Sequence, residues 1–268
     1  MTLLNHALRA GRSGPVAAAA ALQTVLVAGG GGALGSAVLE ALLGSRRFAH
    51  VKVLATRALT TAMHGLEPVV VDDFDAELPA PAGAPIAATA VIVFDRERHA
   101  NGRELAFLRP QPERLATLAQ WLHAHGTRRL IVVLPHTPAS LPEALKAGLA
   151  NLDEHATAAL GFDQLVFVRS AQKPTGARAG QWLQRLADGV LAQMLMMVAT
   201  SNQPVRAAKV AQFVLELAAQ LPGSEPGTRV APPELVWQAA QMRDAGPLVQ
   251  AWLARRELPA VNAPRRRM

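Results

Sequence analysis

The feature that most constrains this 268-residue chain is a run of four glycines, Gly29–Gly32, placed between two apolar stretches. Consecutive glycines lose too much chain entropy to sit inside a helix or a strand. Residues 24–28 and 33–43 must therefore be separate elements joined by a glycine turn. The first, Thr24–Ala28, reads as a buried strand; the second, Ala33–Leu43, opens a helix. Strand, glycine turn and helix in that order are the context of a dinucleotide phosphate loop. Two spacings fit. Gly30, Gly32 and Gly35 make G-x-G-x-x-G, whereas Gly29, Gly32 and Gly35 make G-x-x-G-x-x-G. In either, one glycine turns the chain, one lets backbone approach a pyrophosphate, and the last allows close helix–strand packing. The helix N-terminus then supplies unpaired N–H groups and the positive end of its dipole. The candidate phosphate-binding residues are Gly29, Gly32, Ala33, Leu34 and Gly35.

The same glycines dispose of a membrane reading. No charge falls between Gly14 and Leu39, with Arg9 and Arg12 just ahead, which imitates a leader or a span. A glycine run in the middle is poor span material. The better division is an N-terminal extension over 1–22, one nucleotide-binding domain over 23–258, and a basic tail over 259–268. A cytoplasmic protein is expected.

Beyond the loop, short β-branched runs alternate with helical stretches. Strands are expected at Thr24–Ala28, Val51–Ala55, Pro68–Val71, Ala90–Phe94, Arg129–Leu134 and Gln164–Val168. Helices are expected at Ala33–Leu43, Glu113–His125 and Pro142–Leu160. Repeated β-α units predict an α/β fold, a Rossmann-like doubly wound parallel sheet. From about residue 175 the texture turns helical, over Gly180–Ala199 and Val205–Leu221. A short extended piece, Thr228–Val230, and a helix over Pro233–Met242 follow. This part reads as a small C-terminal helical cap on the substrate side.

The end of the second strand tests cofactor choice. An acid there would take the ribose hydroxyls of NAD. This chain has Thr56 and Arg57 instead. A guanidinium suits a 2′-phosphate, so NADP is preferred to NAD.

Composition narrows the chemistry. Tyr and Cys are both absent. That removes a phenolic acid or base, thiolate nucleophiles, disulfides and Cys-ligated metals. No metal site is expected, because His123 and His125 lack a third ligand. The net charge is +7, but no basic helix interleaves with aromatics, so nucleic acid is set aside as a partner.

The order of these motifs resembles the short-chain dehydrogenase/reductase superfamily, and most of all its atypical NmrA-like and Tat-interacting-protein-like NAD(P)-binding branch. The resemblance covers roughly residues 24–240. The loop Gly29-x-x-Gly32-x-x-Gly35 is similar to that branch's phosphate loop, and Ala55-Thr56-Arg57 to its NADP-reading strand end. Val70-Val71-Asp72-Asp73-Phe74-Asp75 resembles the stretch whose acid and following apolar residue flank the adenine, which implies that role for Asp73 and Phe74. Glu154 and Leu165–Arg169 resemble a later stretch and imply a cofactor-side role for Arg169. Val205–Ala211 resembles a further element, with Lys209 where an Asp is usual. Phe94 stands where the family carries a small residue beside the cofactor, with Asp95 next.

The catalytic part of the resemblance fails. Catalytic members use a Tyr-x-x-x-Lys pair and a Ser after strand five; this chain has no Tyr, and reads Leu134-Pro135-His136-Thr137 there. His136, just past the end of strand five, is the candidate proton carrier, because an imidazole suits proton transfer near neutral pH; Thr137 is a candidate hydrogen-bond partner for a substrate oxygen. Two readings stay open. One is an NADP(H)-dependent oxidoreductase holding a small apolar substrate under Gly180–Ala199. The other is a non-catalytic NADP(H)-binding redox sensor or a scaffold for a protein partner. A homodimer through Glu113–His125 and Pro142–Leu160 is an expectation carried from the superfamily.

Overall fold

The computed structural model describes residues 23–59, 65–71, 85–95, 106–136, 154–171 and 205–259. The extension 1–22, Asp73, Phe74, Thr137, most of the expected helix Pro142–Leu160, the expected helix Gly180–Ala199 and residues 260–268 lie outside them.

Seven strands among the described residues form one parallel sheet. They are β1 (Gln23–Ala28), β2 (Phe48–Ala55), β3 (Leu66–Val70), β4 (Thr89–Val93), β5 (Arg129–His136), β6 (Gln164–Ala171) and β7 (Gly227–Ala231). Their spatial order is β3-β2-β1-β4-β5-β6-β7. The order reverses between β1 and β4, which is the switch point of a doubly wound sheet. The expected α/β Rossmann-like fold is therefore present.

Each central strand is apolar on both faces, as a sheet covered twice requires. Val25, Val27, Val51, Val53, Val91, Val93, Ile131 and Val133 face one layer. Leu26, Ala28, Leu54, Ile92, Leu130, Val132 and Phe167 face the other. The first layer is covered by α1 (Gly32–Ser45) and, from the C-terminal part of the chain, α3 (Ala207–Gln220), α4 (Pro233–Gln241) and α5 (Gly246–Leu253). The second is covered by α2 (Leu115–Ala124), through Leu115, Leu118, Ala119, Trp121 and Leu122. A 3-10 turn, Pro112–Arg114, leads into α2, so the expected helix Glu113–His125 starts as a tighter coil.

The described C-terminal segment, 205–259, is built into this body. The expected extended piece Thr228–Val230 is the edge strand β7, in register with β6 from Gln164↔Gly227 to Val168↔Ala231. On α3, Val210, Phe213, Val214 and Leu217 recur at three- and four-residue steps and are fully buried. At the amino edge, Arg129 donates to Gln23 at 2.9 Å and to Thr89 at 3.1 Å, tying the starts of β1, β4 and β5 together. Burial lowers its pKa from the usual guanidinium value, against the opposing charge of Asp163.

Truncating Phe213, which is 0% exposed between α3 and the sheet, removes the largest buried side chain of that helix. The Phe213→Ala variant is expected to lose about 3–5 kcal/mol in equilibrium urea unfolding. A loss below about 1 kcal/mol would contradict this packing.

Candidate functional site

The carboxyl ends of the parallel strands form one edge, and β1 releases the glycine turn onto it at the switch point. Gly29 has φ +91° and Gly32 has φ +76°, conformations that L side chains rarely adopt. A Cβ on Gly29 would also stand 2.2 Å from the carbonyl oxygen of Val93 on β4. A Cβ on Gly35 would stand 2.1 Å from the carbonyl oxygen of Gly29 and 2.9 Å from the carbonyl carbon of Gly30. Gly30 has neither constraint: its Cβ would meet the tip of Leu39 at 2.6 Å and Val53 at 3.0 Å, both side-chain atoms. The geometry thus requires glycine at 29, 32 and 35, which selects G-x-x-G-x-x-G from the two spacings. Of Gly29–Leu34, only Ala33 is exposed; the side chain of Leu34 is buried in the first apolar layer.

This turn points the N-terminus of α1 at the edge. Gly31, the residue before the helix, offers no side-chain cap, and the first turn carries no acid. The cap comes from elsewhere: the Leu34 amide donates to Asp95 Oδ2 at 2.7 Å, across 61 residues. The same oxygen lies 2.6 Å from where a Gly32 Cβ would be. Asp95 is held there because the Phe94 amide donates to the Val133 carbonyl at 3.0 Å, and the Phe94 ring is 3% exposed in the second layer.

A second piece of backbone crosses the edge. The Thr56 amide donates to the Ala106 carbonyl at 2.8 Å, and the Leu108 amide donates to the Leu54 carbonyl at 2.9 Å. An antiparallel bridge joins Ala55 and Phe107 between them. Pro110 continues this segment to within 3.1 Å of the position a Gly29 Cβ would take. Arg109, Pro110 and Arg114 line a groove together with Thr117 and Leu118. Residues 106–110 therefore wall the half of the edge that β1 and β2 share, and sequence reasoning assigned them no part in the site. Beyond that wall, Thr56 and Arg57 are exposed at the end of β2.

On the other half, β5 runs two residues further than its apolar stretch. His136 is its last residue, in register with Ala171 of β6, so it lies within the strand rather than past its end. Arg169 is paired by register with Leu134, and its Nη2 donates to both carboxylate oxygens of Glu154, at 3.0 and 2.9 Å. The two residues the resemblance pointed to in that stretch thus meet each other. Among the described residues no group of three or more His, Asp or Glu could hold a metal ion. No helix among them is long and apolar enough to cross a membrane.

No family model matches the chain, and no curated protein does. Solved structures do. A nucleoside-diphosphate-sugar epimerase from Staphylococcus aureus is 13% identical over 78% of this chain and 70% of its own, with a TM-score of 0.48. A short-chain dehydrogenase/reductase of the wide type from Veillonella parvula, in complex with NADP, is 12% identical over 79% of this chain and 95% of its own, with a TM-score of 0.47. A triphenylmethane reductase from Citrobacter sp., complexed with NADP(H), is 15% identical over 77% and 68%, with a TM-score of 0.46.

Two glycines of α1 separate close packing from ordinary helix propensity. Gly35→Ala is expected to lose about 2–3 kcal/mol, because its methyl must displace backbone. Gly44→Ala, with nothing within 4 Å, is expected to gain about 0.5–1 kcal/mol. Thermal unfolding of both variants checks the pair, and equal shifts would contradict the contact.

Proposed function

We propose that this chain is an NADP(H)-binding protein of the atypical short-chain dehydrogenase/reductase type, working as an oxidoreductase without the Tyr–Lys pair. The observation that carries the proposal is the turn itself: glycines required at 29, 32 and 35 deliver a helix N-terminus to the switch point of a doubly wound sheet. Such a terminus offers N–H groups to a pyrophosphate. The residues fit a dinucleotide, with one carboxylate, Asp95, standing in the anion's place.

When bound, the nicotinamide would supply or accept a hydride. The chain's own residues bind and orient. The amides of Gly32, Ala33 and Leu34 would hold the pyrophosphate, and Arg57 the 2′-phosphate that distinguishes NADP from NAD. Asp73 and Phe74 would flank the adenine. The 106–110 wall would keep water from the adenosine half. On the reacting half, His136 at the end of β5 would carry the proton and Thr137 would hold the substrate oxygen. The Glu154–Arg169 pair would position the adjoining stretch of β6, and Phe94 would set the floor beside the cofactor.

A second reading, a non-catalytic NADP(H)-binding redox sensor or scaffold, is favoured by one observation: none of the 268 residues is Tyr. The two readings share the binding site and part at turnover.

Titration with NADPH and NADH, followed by nicotinamide fluorescence, tests the shared part. NADPH is expected to bind more tightly than NADH, and Arg57→Ala to weaken NADPH about tenfold while leaving NADH unchanged. Equal affinity for both nucleotides, untouched by Arg57→Ala, would overturn the assignment. Loss of NADPH absorbance with a panel of small carbonyl and imine substrates, abolished by His136→Ala, separates oxidoreductase from sensor.

A further inference from the structure

The proposed site contains a charge of the wrong sign. A helix N-terminus attracts one anion, because its free amides and dipole converge on a small volume. In this chain the carboxylate of Asp95 holds that place, with Oδ2 accepting from the Leu34 amide at 2.7 Å and packed against Gly32. Gly32 is required by its φ of +76°, and the Asp95 carboxylate fills the space a side chain there would take. Gly29–Gly32 are buried, with Asp95 against Gly32 and Pro110 against Gly29.

From this geometry we infer that Asp95 is an internal competitor for the cofactor's pyrophosphate and sets the affinity of the site. The inference rests on the proposed dinucleotide reading. The carboxylate and a pyrophosphate need the same Leu34 amide, and two anions within hydrogen-bond reach of one another repel strongly. Binding therefore requires Asp95 to leave α1, and each molecule of NADP(H) bound is one helix cap broken. The protein caps its helix when the nucleotide is scarce and gives up the cap when it is abundant.

Asp95→Asn isolates the charge, since an amide oxygen can still accept from Leu34. Isothermal titration of the full chain with NADPH, and separately with inorganic pyrophosphate, reads the effect. Glu40→Gln, on the exposed face of α1, controls for net charge. Asp95→Asn is expected to bind NADPH about tenfold more tightly than the unmodified protein, and Glu40→Gln to change binding less than about twofold. If Asp95→Asn and the unmodified protein bind equally, and both weaken with Arg57→Ala, Asp95 is no competitor while the dinucleotide site stands. Weaker binding by Asp95→Asn overturns the proposal in the same way. Binding by neither protein to either probe overturns the proposal and the dinucleotide reading together.

A second readout serves if Asp95→Asn fails to fold. In the unmodified protein, the Leu34 amide resonance should move on saturation with NADPH as its acceptor changes from carboxylate to phosphate. An unmoved Leu34 resonance in the saturated protein overturns the competition.

Discussion

The contact on which the rest depends is between two stretches of backbone. Gly35, one turn into α1, lies against the carbonyl of Gly29, just past the end of β1, with no room for a methyl group. Gly29 in turn lies against the carbonyl of Val93 at the end of β4. Helix, first strand and neighbouring strand are thereby locked at one point. Because α1 starts there, Val38, Leu39 and Leu42 fall onto the strand valines of the first layer, and the remaining helices pack around them. The same closeness brings the helix N-terminus to the sheet's carboxyl edge, so the packing constraint and the candidate site have one origin.

A helix that begins in glycines has amides to satisfy and no local side chain to do it. Natural helices meet this need with a neighbouring Ser, Asp or ligand. Here the need is met by an aspartate from the end of β4, at a distance in sequence no local rule reaches. Asp95 stabilises the turn through a charge-assisted hydrogen bond and the helix dipole, on the order of 1 kcal/mol. That gain stands against any ligand wanting the same amides. A chain selected only to bind nucleotide tightly would leave the helix end bare; on the proposed reading, a stable turn is balanced here against cofactor binding.

Much of the fold is written in the chain because central strands of a doubly covered sheet are short apolar runs bounded by turns. β1, β2 and β4 read true to within a few residues. The misses have physical causes. β3 begins two residues before Pro68, which a sheet tolerates there because β3 is an edge strand. β5 and β6 outrun their apolar cores, since Pro135–His136 pairs with Ser170–Ala171 by backbone, whatever the side chains. Helix α5 was not foreseen, although Asp244 and Pro247 mark its start: the Gly246 amide donates to Asp244 Oδ1 at 2.9 Å. Of the site, the glycine turn was legible because it is local, while the choice between its two spacings needed the packing of Gly35 on Gly29. The Asp95–Leu34 bond and the 106–110 wall were not, because each joins residues about 50 or more positions apart. The meeting of Glu154 with Arg169 is intermediate: both residues stood out, and only the fold paired them.

The central claim, that the turn at 29–35 is a pyrophosphate site from which Asp95 must withdraw, is tested most directly by a crystal structure of the chain with NADPH. The account predicts the pyrophosphate on the N-terminus of α1, accepting from the Leu34 amide, the 2′-phosphate beside Arg57, and the Asp95 carboxylate turned away. Nucleotide bound elsewhere, or bound on this edge with Asp95 still on Leu34, would contradict it.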